Sequence, residues 1–263
     1  HKAWAASLLD QAGLPVPPPE LAGDAEGAVR AAQRLGYPVV VKPADLDGGV
    51  AVAAGLESDE EVREAFASAG KHSRQILVEK FVPGRDYRVQ VFDGEVIGAV
   101  ERIPGGVTGD GHSSVAQLVQ LCNADPRRGT GSHAPLKKLV LDDEAMRLLQ
   151  RQGLDADAVP AGGRFVRLRR AANVASGGMP VAAYDRLHPD NARLAVRAAQ
   201  ALGLDLAGID LLIPDIAVSW LKSGAAICEV NGQPTLGQIV SGHLYLQILR
   251  KLVPGSGRVP TIV

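Results

Sequence analysis

The chain has 263 residues, 46% of them hydrophobic, which is enough for a sizeable core in one composite domain or in two lobes. A formal net charge of −1 and an aromatic content of 4% argue against nucleic-acid binding, because such surfaces need positive charge and stacking rings. No apolar run approaches the roughly 20 residues of a membrane-spanning helix, and no signal-peptide pattern is present, so we expect no membrane contact.

The first third of the sequence predicts a helix followed by a small α/β lobe. Apolar residues recur at helical spacing in residues 1–13, which we interpret as an N-terminal helix left from a longer protein. Residues 14–82 alternate extended and helical patterns, and Asp24 and Ser58 are suited to cap two helices. The segments YPVVVKP and QILVEKFV predict buried strands, and ADLDGGVAVAAGLES predicts a glycine turn between strands.

The rest of the sequence predicts a larger lobe over residues 83–253, followed by a linker or tail over 254–263. The run PGRDYRVQVFDGEVIGAVERI predicts a hairpin whose turn is Asp93-Gly94. A basic run, GGRFVRLRR, predicts another strand, and two acidic strands precede a terminal helix. Further helices are expected at residues 115–122, 142–152 and 188–203. The fold class is therefore α+β, with two sandwich-like lobes.

Three polar residues stand in runs that would otherwise be core. Glu229 and Asn231 are two residues apart in ICEVNGQPTLG, so on a strand their side chains share one face. Asp210, in AGIDLLI, lies on what we expect to be the preceding antiparallel strand. Carboxylate and amide oxygens suit a hard cation such as Mg²⁺. A buried hydrogen-bonded network without metal is the alternative.

Lys42 ends the apolar strand VVVKP directly before a turn that contains Gly48 and Gly49. A buried lysine needs an anionic partner, and a phosphate beneath a glycine loop would provide one while the loop N–H groups donate further hydrogen bonds. The alternative is a lysine at a strand end whose ammonium group reaches water.

The segment LVEKFVPGRDYR places Glu79 at the end of a strand and Asp86 seven residues later. A chain that crosses between two lobes exposes backbone groups that can bind the edge of an adenine ring, and a nearby carboxylate can bind ribose hydroxyls. Taken alone, both residues are better explained as ordinary solvated acids at strand ends.

The sequence does not indicate covalent catalysis. No GxSxG motif occurs, no two of the six histidines have ligand spacing, and no Cys/His nucleophile pattern is present. Cys122 and Cys228 stand in apolar segments without a spaced framework, which is typical of buried thiols in a reducing cytoplasm. Four arginines alternate along a predicted strand and suit phosphate or carboxylate binding, although a solvated face would explain at least half of them: Arg164, Arg167, Arg169 and Arg170.

Taken together, these motifs resemble the ATP-grasp enzymes over nearly the whole chain. HKAWAASLLDQAGLPVPPP is similar to a segment of D-alanine ligases and cyanophycin synthetases, VEKFVPGRDYR resembles the hinge between the lobes, and EVNGQPTLG resembles the E-x-N-x-x-P-G signature. The resemblance implies two lobes with ATP between them. The implied ATP contacts are Lys2, Lys42, Gly48, Gly49, Glu79, Lys80, Phe81, Val82 and Asp86. The implied ligands of two Mg²⁺ ions are Asp210, Glu229 and Asn231.

Two departures from the family pattern affect the implied chemistry. The glycine loop is shorter than is usual in the cyanophycin synthetase branch and lacks a histidine and an arginine. The arginine that polarises the acyl phosphate in D-alanine ligases would stand at Gly208. Arg170 is our candidate for its role, with Lys138 as a second candidate beside it.

Two segments resemble the cyanophycin synthetase branch in particular: GDGHSSVAQLVQLCNADPRRGTGSHAPLKKL and the loop RRAANVASGGMP. The implied activity is an ATP- and Mg-dependent ligase that joins a carboxylate to an amine through an acyl phosphate, on amino-acid or peptide substrates. LVPGSGRVPTIV is similar to the linker into a Mur-ligase-like domain, and homo-oligomers are compatible with the sequence. The alternatives are a nucleotide-binding scaffold or sensor that does not catalyse, and, more distantly, a carboxylase-type subunit.

Overall fold

The structure is a computed structural model that describes residues 2–46, 49–131, 133–236 and 242–253. The predicted site residue Gly48 and the predicted tail at 254–263 lie outside these ranges. Within them, no helix is long and apolar enough to cross a membrane.

The first part of the chain forms a four-stranded antiparallel sheet with the order β1-β4-β2-β3. Two helices, α2 and α3, pack on this sheet through small and branched apolar residues such as Val29 and Val62. The helices and strands of this part are α1 (Lys2–Gln11), β1 (Pro19–Ala22), α2 (Ala25–Leu35), β2 (Val39–Pro43), β3 (Ala53–Leu56), α3 (Asp59–Ala69) and β4 (Ile76–Lys80).

Both predicted helix caps are present. The carboxylate of Asp24 accepts a hydrogen bond from the Gly27 N–H at 2.6 Å, and the Ser58 hydroxyl accepts one from the Glu61 N–H at 3.2 Å. Each bond satisfies a backbone donor that the first helical turn leaves unpaired. The Glu61 carboxylate accepts from the Glu57 N–H at 2.8 Å, one residue before the cap.

The second part of the chain forms a five-stranded antiparallel sheet with the order β11-β6-β5-β12-β13. Its elements include β5 (Arg85–Phe92), β6 (Glu95–Ile103), β11 (Met179–Ala182), α6 (Pro189–Ala201), β12 (Leu206–Ile213), α7 (Trp220–Ser223), β13 (Ala226–Asn231) and α8 (His243–Leu252). The predicted hairpin is confirmed: β5 and β6 pair, and both turn residues have positive φ, 52° at Asp93 and 73° at Gly94.

A third group of elements, inserted between β6 and β11, has its own small core. Val107, Leu118, Leu149 and Val166 are buried together in it. Its elements are β7 (Gly106–Thr108), α4 (Val115–Asn123), β8 (Arg128–Gly129), β9 (Leu136–Lys137), α5 (Asp143–Arg151) and β10 (Phe165–Arg167). We call this group the insert.

The basic run of the insert is less regular than its sequence predicts. The strand covers Phe165–Arg167 only, and Arg169 is buried, with Nη1 donating to the Asp142 carboxylate at 2.9 Å. A guanidinium that has such a partner can leave the solvent, because its charge is compensated. Arg164 and Arg167 remain exposed, as a solvated face would require.

Helix α1 packs with the second sheet although it comes first in the chain. Leu9 and Leu14 are buried in the same core as Ile209 and Leu194, and the Ile227 N–H donates to the Pro15 carbonyl at 2.7 Å. The division at residues 13, 82 and 253 stays a prediction. Leu14, the first residue of the predicted smaller lobe, is buried in the core of the larger lobe.

Candidate active site

Asp210 and Glu229 face each other on neighbouring strands. They are direct partners in the antiparallel pair β12–β13, and a register shift follows between Asp210 and Leu211. Asn231 lies two residues beyond Glu229, opposite Gly208, so the three predicted metal ligands share one face of the hairpin. Asn231 Nδ2 is buried and has no hydrogen-bond partner among the described residues.

Two arginines that the sequence analysis did not single out bind Asp210. Arg88 lies opposite Asp210 on β5 and donates to both carboxylate oxygens, from Nε at 2.7 Å and from Nη2 at 2.8 Å. Arg102, on β6, approaches the same carboxylate with Nη2 at 3.0 Å. Although burial favours the neutral form, Asp210 and Asp86 raise the pKa of Arg102, so Arg102 carries its charge.

Asp86 lies in this charged group on the larger sheet. Its Oδ1 accepts from Arg102 Nε at 2.9 Å and from Nη2 at 2.6 Å. Burial raises the pKa of Asp86, while Arg102 opposes that change and Asp210 adds to it. The predicted ribose ligand is therefore held beside the predicted metal ligands by one shared arginine.

Arg88 also covers the position where the family resemblance places an arginine. A methyl group added at Gly208 would lie 3.4 Å from Arg88 Cδ and 3.6 Å from Arg88 Nε. It would also lie 2.8 Å from Pro234 Cβ, closer than real Cβ contacts. A side chain at residue 208 is thus excluded, and the guanidinium at this place comes from the neighbouring strand.

Lys42 and Glu79 form a buried ion pair in the smaller lobe. Lys42 Nζ lies 2.6 Å from Glu79 Oε2, and each side chain is 10% exposed.

Cys228, on β13, is close enough to Lys42 and Glu79 that both charges act on its thiol. Burial raises the pKa of Cys228 to about 12, Lys42 opposes this, and the carboxylates of Glu79, Asp86 and Asp210 add to it. By solvent exposure Cys122 and Cys228 are half-buried, so the expectation of fully buried thiols was too strong.

Lys2, at the start of α1, bridges the two lobes. Its Nζ lies 3.2 Å from Glu229 Oε1 and donates a hydrogen bond to the carbonyl of Leu46. The N–H of Lys2 also donates to the Ala44 carbonyl at 3.5 Å. The predicted phosphate ligand therefore stands between the predicted metal site and the segment just before the glycine loop.

Two residues of the predicted hinge, Lys80 and Phe81, donate hydrogen bonds to backbone carbonyls of the smaller lobe. Lys80 Nζ donates to the carbonyls of Gly36 at 2.7 Å and Tyr37 at 3.0 Å, and the Phe81 N–H donates to the Pro38 carbonyl at 3.0 Å. Within the described ranges Val82 N–H makes no backbone hydrogen bond, and Val82 is half-buried. Val82 thus offers a donor at the hinge.

The glycine loop faces a loop of the larger lobe. A methyl group added at Gly49 would lie 3.8 Å from Ala171 Cβ and 3.9 Å from Asn173 Nδ2. Arg170 precedes this contact, and its N–H donates to the Glu144 carboxylate at 2.9 Å. Lys138 is exposed just after β9, and in the described part of the chain no ion pair joins it to the acids of the site.

Oxygen donors of the type that Mg²⁺ prefers are present at the hairpin. Glu229 is half-buried and held by one lysine, so exchanging that lysine for a metal ion requires no rearrangement of the sheet. Asp210 accepts hydrogen bonds from its arginines and retains further lone pairs, and the side-chain oxygen of Asn231 is a further donor atom of the type that Mg²⁺ binds. Among the described residues no three His, Cys, Asp or Glu side chains form a metal cluster, so an ion here would need further ligands such as phosphate oxygens. With that addition the residues fit Mg²⁺.

The chain is similar in sequence and in fold to known proteins. A family model described as "D-ala D-ala ligase C-terminus" matches residues 8–108. Cyanophycin synthetase from Nostoc sp. is 36% identical to the chain over 264 residues, which is 97% of this chain but 29% of that protein. The chain thus spans less than a third of the length of this relative.

Solved structures of known proteins have the same fold. A bifunctional glutathione synthetase from Pasteurella multocida is 29% identical, with a TM-score of 0.63 over 96% of this chain and 36% of that one. D-alanine–D-alanine ligase from Bacillus anthracis is 13% identical, with a TM-score of 0.56 over 94% of this chain and 62% of that one. The latter likeness concerns the fold alone, and the α+β fold predicted from the sequence is confirmed.

Proposed function

We propose that the chain is an ATP-grasp domain related to those of cyanophycin synthetases and that it joins a carboxylate to an amine with consumption of ATP. The observation that carries the proposal is the direct pairing of Asp210 with Glu229 across β12–β13, with Lys2 in contact with Glu229. Two carboxylates and a lysine at the junction of two lobes suit a triphosphate with its metal ions.

The reaction has two steps. In the first, a carboxylate oxygen of one substrate attacks the γ-phosphorus of ATP, the bond to the β-phosphate oxygen breaks, and ADP leaves. In the second, an amine attacks the carbonyl carbon of the acyl phosphate, the carbon–oxygen bond to phosphate breaks, and the amine loses a proton to solvent. The products are an amide, ADP and phosphate, with no covalent protein intermediate.

The nucleotide would lie between the lobes. Glu79 and the backbone of Lys80–Val82 would hold the adenine, because Val82 retains a backbone donor at the hinge. Asp86 would accept hydrogen bonds from the ribose hydroxyls, and this role requires it to share its oxygens with Arg102. Gly48 and Gly49 would cover the phosphates.

The charges of the phosphates would be balanced by protein cations and by Mg²⁺. Lys2 and Lys42 are the proposed phosphate ligands, and Asp210, Glu229 and Asn231 would hold two Mg²⁺ ions. Bound Mg²⁺ neutralises charge on the phosphate oxygens. Glu229 would become available to a metal ion if Lys2, whose Nζ lies 3.2 Å from Glu229 Oε1, turned from it towards a phosphate.

Arg88 is the strongest candidate for stabilising charge on the acyl phosphate and on the tetrahedral intermediate. Its guanidinium lies over Gly208, where the family resemblance implies an arginine, and it is fixed by two hydrogen bonds to Asp210. We retain Arg170 as a second candidate, since its loop faces the glycine loop, and Lys138 as a third.

We propose amino acids or peptides as the substrates, as in the relatives named above. A nucleotide-binding scaffold without activity is not favoured, because the relatives that share 29% and 36% of their aligned residues with this chain are named as synthetases. A cytoplasmic location, a Mur-ligase-like region in the longer protein and a homo-oligomer belong to the same proposal.

The test uses the longest natural protein that contains this chain, incubated with ATP, Mg²⁺ and panels of amino acids and acidic dipeptides. We expect substrate-dependent ADP release, and hydroxylamine should trap the acyl phosphate as a hydroxamate. Calorimetry with ATP and Mg²⁺ gives binding independently of turnover. ATP binding without ADP release across the panels would favour the scaffold, and the absence of ATP binding would overturn the nucleotide site itself.

A further inference from the structure

The insert contains a cavity of about 340 Å³ that the proposed reaction does not use. Strand β7 and helix α4 form two of its walls, and Leu118 and Cys122 face it from successive turns of α4. Val107, Phe165 and Met179 complete a largely apolar lining. The volume suits a molecule of about ten non-hydrogen atoms, taking about 30 Å³ for each.

One charged side chain, Arg128, stands in this lining. Only 7% of Arg128 is exposed. Its Nη1 donates to the carbonyls of Lys137 at 2.6 Å and Gly177 at 3.1 Å, which fixes the guanidinium in place. Its Nε is buried and has no hydrogen-bond partner among the described residues. Nε and Nη2 form the edge with which arginine binds carboxylates in a bidentate manner.

No acid of the described chain pairs with Arg128. Asp125, three residues earlier in the chain, is bound by its neighbour Arg127 at 2.7 Å. Those hydrogen bonds with Arg127 lower the pKa of Asp125 to about 2, and Arg128 adds to the effect only through its charge. A buried guanidinium without a counter-ion is costly, because it loses its hydration without gaining a partner.

We propose that this cavity binds a small monocarboxylic acid with an apolar body, whose carboxylate pairs with the Nε edge of Arg128. The apolar walls favour such a body over a sugar or a nucleotide. A single guanidinium balances one negative charge, so a doubly charged phosphate would remain partly uncompensated. The walls come from the insert and from the adjoining ends of β6 and β11, and none of the lining residues is a predicted nucleotide contact.

The probe is 3-phenylpropionate, and 3-phenylpropionamide is its uncharged match. Calorimetry on the full protein gives the Kd of each, and mass spectrometry follows the modification of Cys122 by N-ethylmaleimide, with glutathione in the same sample as the reference thiol. At ten times its Kd the acid should slow modification of Cys122 roughly tenfold. The amide should have little effect, and modification of glutathione should not change.

Three variants test the assignment. Arg128→Met keeps an unbranched apolar stem but removes the guanidinium, and should abolish binding of the acid. Thr108→Trp obstructs the cavity at an exposed residue, so it remains informative even where loss of Arg128 prevents folding. Arg127→Gln, at the exposed neighbour, should bind the acid as the wild type does. No binding to the wild type, equal binding of the amide, or binding retained in Thr108→Trp or in a folded Arg128→Met would each overturn the proposal.

Discussion

Asp210 lies directly opposite Glu229 in the β12–β13 pairing, and both carboxylates are already bound by basic side chains. Arg88 binds the first with two hydrogen bonds, and Lys2 binds the second. Two adjacent acids repel each other when both are ionised, and these cations remove most of that repulsion. The two carboxylates of the proposed metal site are thus already side by side, each with a basic side chain that offsets its charge.

Replacing Glu229 with Gln should abolish ADP release with every substrate. The change keeps the size of the side chain but removes a negative metal ligand, and loss of such a ligand should lower kcat at least about a hundredfold. ADP release measured over a range of Mg²⁺ concentrations checks this. Glu95→Gln, at an exposed acid bound to Lys251, is the matched control. Retained turnover in a folded Glu229→Gln protein would contradict the metal assignment.

Replacing Lys42 with Met should destabilise the fold by about 3–5 kcal/mol, because it leaves Glu79 buried without a counter-ion. The double variant Lys42→Met, Glu79→Gln should recover a large part of that loss. Urea unfolding of the four proteins of this cycle measures the coupling. If the two changes are simply additive, the ion pair contributes nothing in the folded state. Calorimetry should also show weaker ATP binding in both variants that lack Lys42.

Replacing Arg88 with Lys should lower kcat about 10²–10³-fold while changing ATP affinity little. Lysine keeps the charge but cannot give the two parallel hydrogen bonds that fix the guanidinium over Gly208. Steady-state kinetics separate kcat from KM, and the comparison with Arg170→Lys distinguishes the two candidate arginines. Arg85→Lys, three residues earlier on the same strand and largely exposed, should behave as the wild type. A larger loss in Arg170→Lys than in Arg88→Lys would reverse the assignment.

The sequence was sufficient for the hairpin and its acids but not for the arginines that bind them. Alternation along each strand places Glu229 and Asn231 on one face, so this relation is local. Arg88 meets Asp210 only because β5 pairs with β12 in one register, 122 residues apart in the chain. The burial of Arg169 could not be predicted for the same reason, since it depends on Asp142, 27 residues away in the chain. Asp86 and Arg88, two residues apart, could have been read as sharing a face with the acids.

Cys228 should react very slowly with iodoacetamide in the folded protein. Burial raises its pKa to about 12 from an ordinary value of 9.0, so at pH 8 the thiolate fraction is roughly a thousandfold lower than in the unfolded chain. Because the thiolate is the reactive form, the rate should keep rising with pH beyond pH 10. Peptide mass spectrometry of folded and urea-unfolded protein measures both rates. A rate that levels off near pH 9 in the folded protein would contradict the raised pKa.

The position of α1 has a consequence for the order in which the protein is completed on the ribosome. Leu9 and Leu14 find their buried positions beside Ile209 and Ile227, and the Pro15 carbonyl receives its hydrogen bond from the Ile227 N–H. About 210 residues separate these partners, which at roughly 5–20 residues per second amounts to about 10–40 s of synthesis. During that time the core that buries Leu9 and Leu14 is not yet synthesised, although all strands of the smaller sheet are already present. Helix α1 is therefore synthesised well before the strands that hold it in its final position.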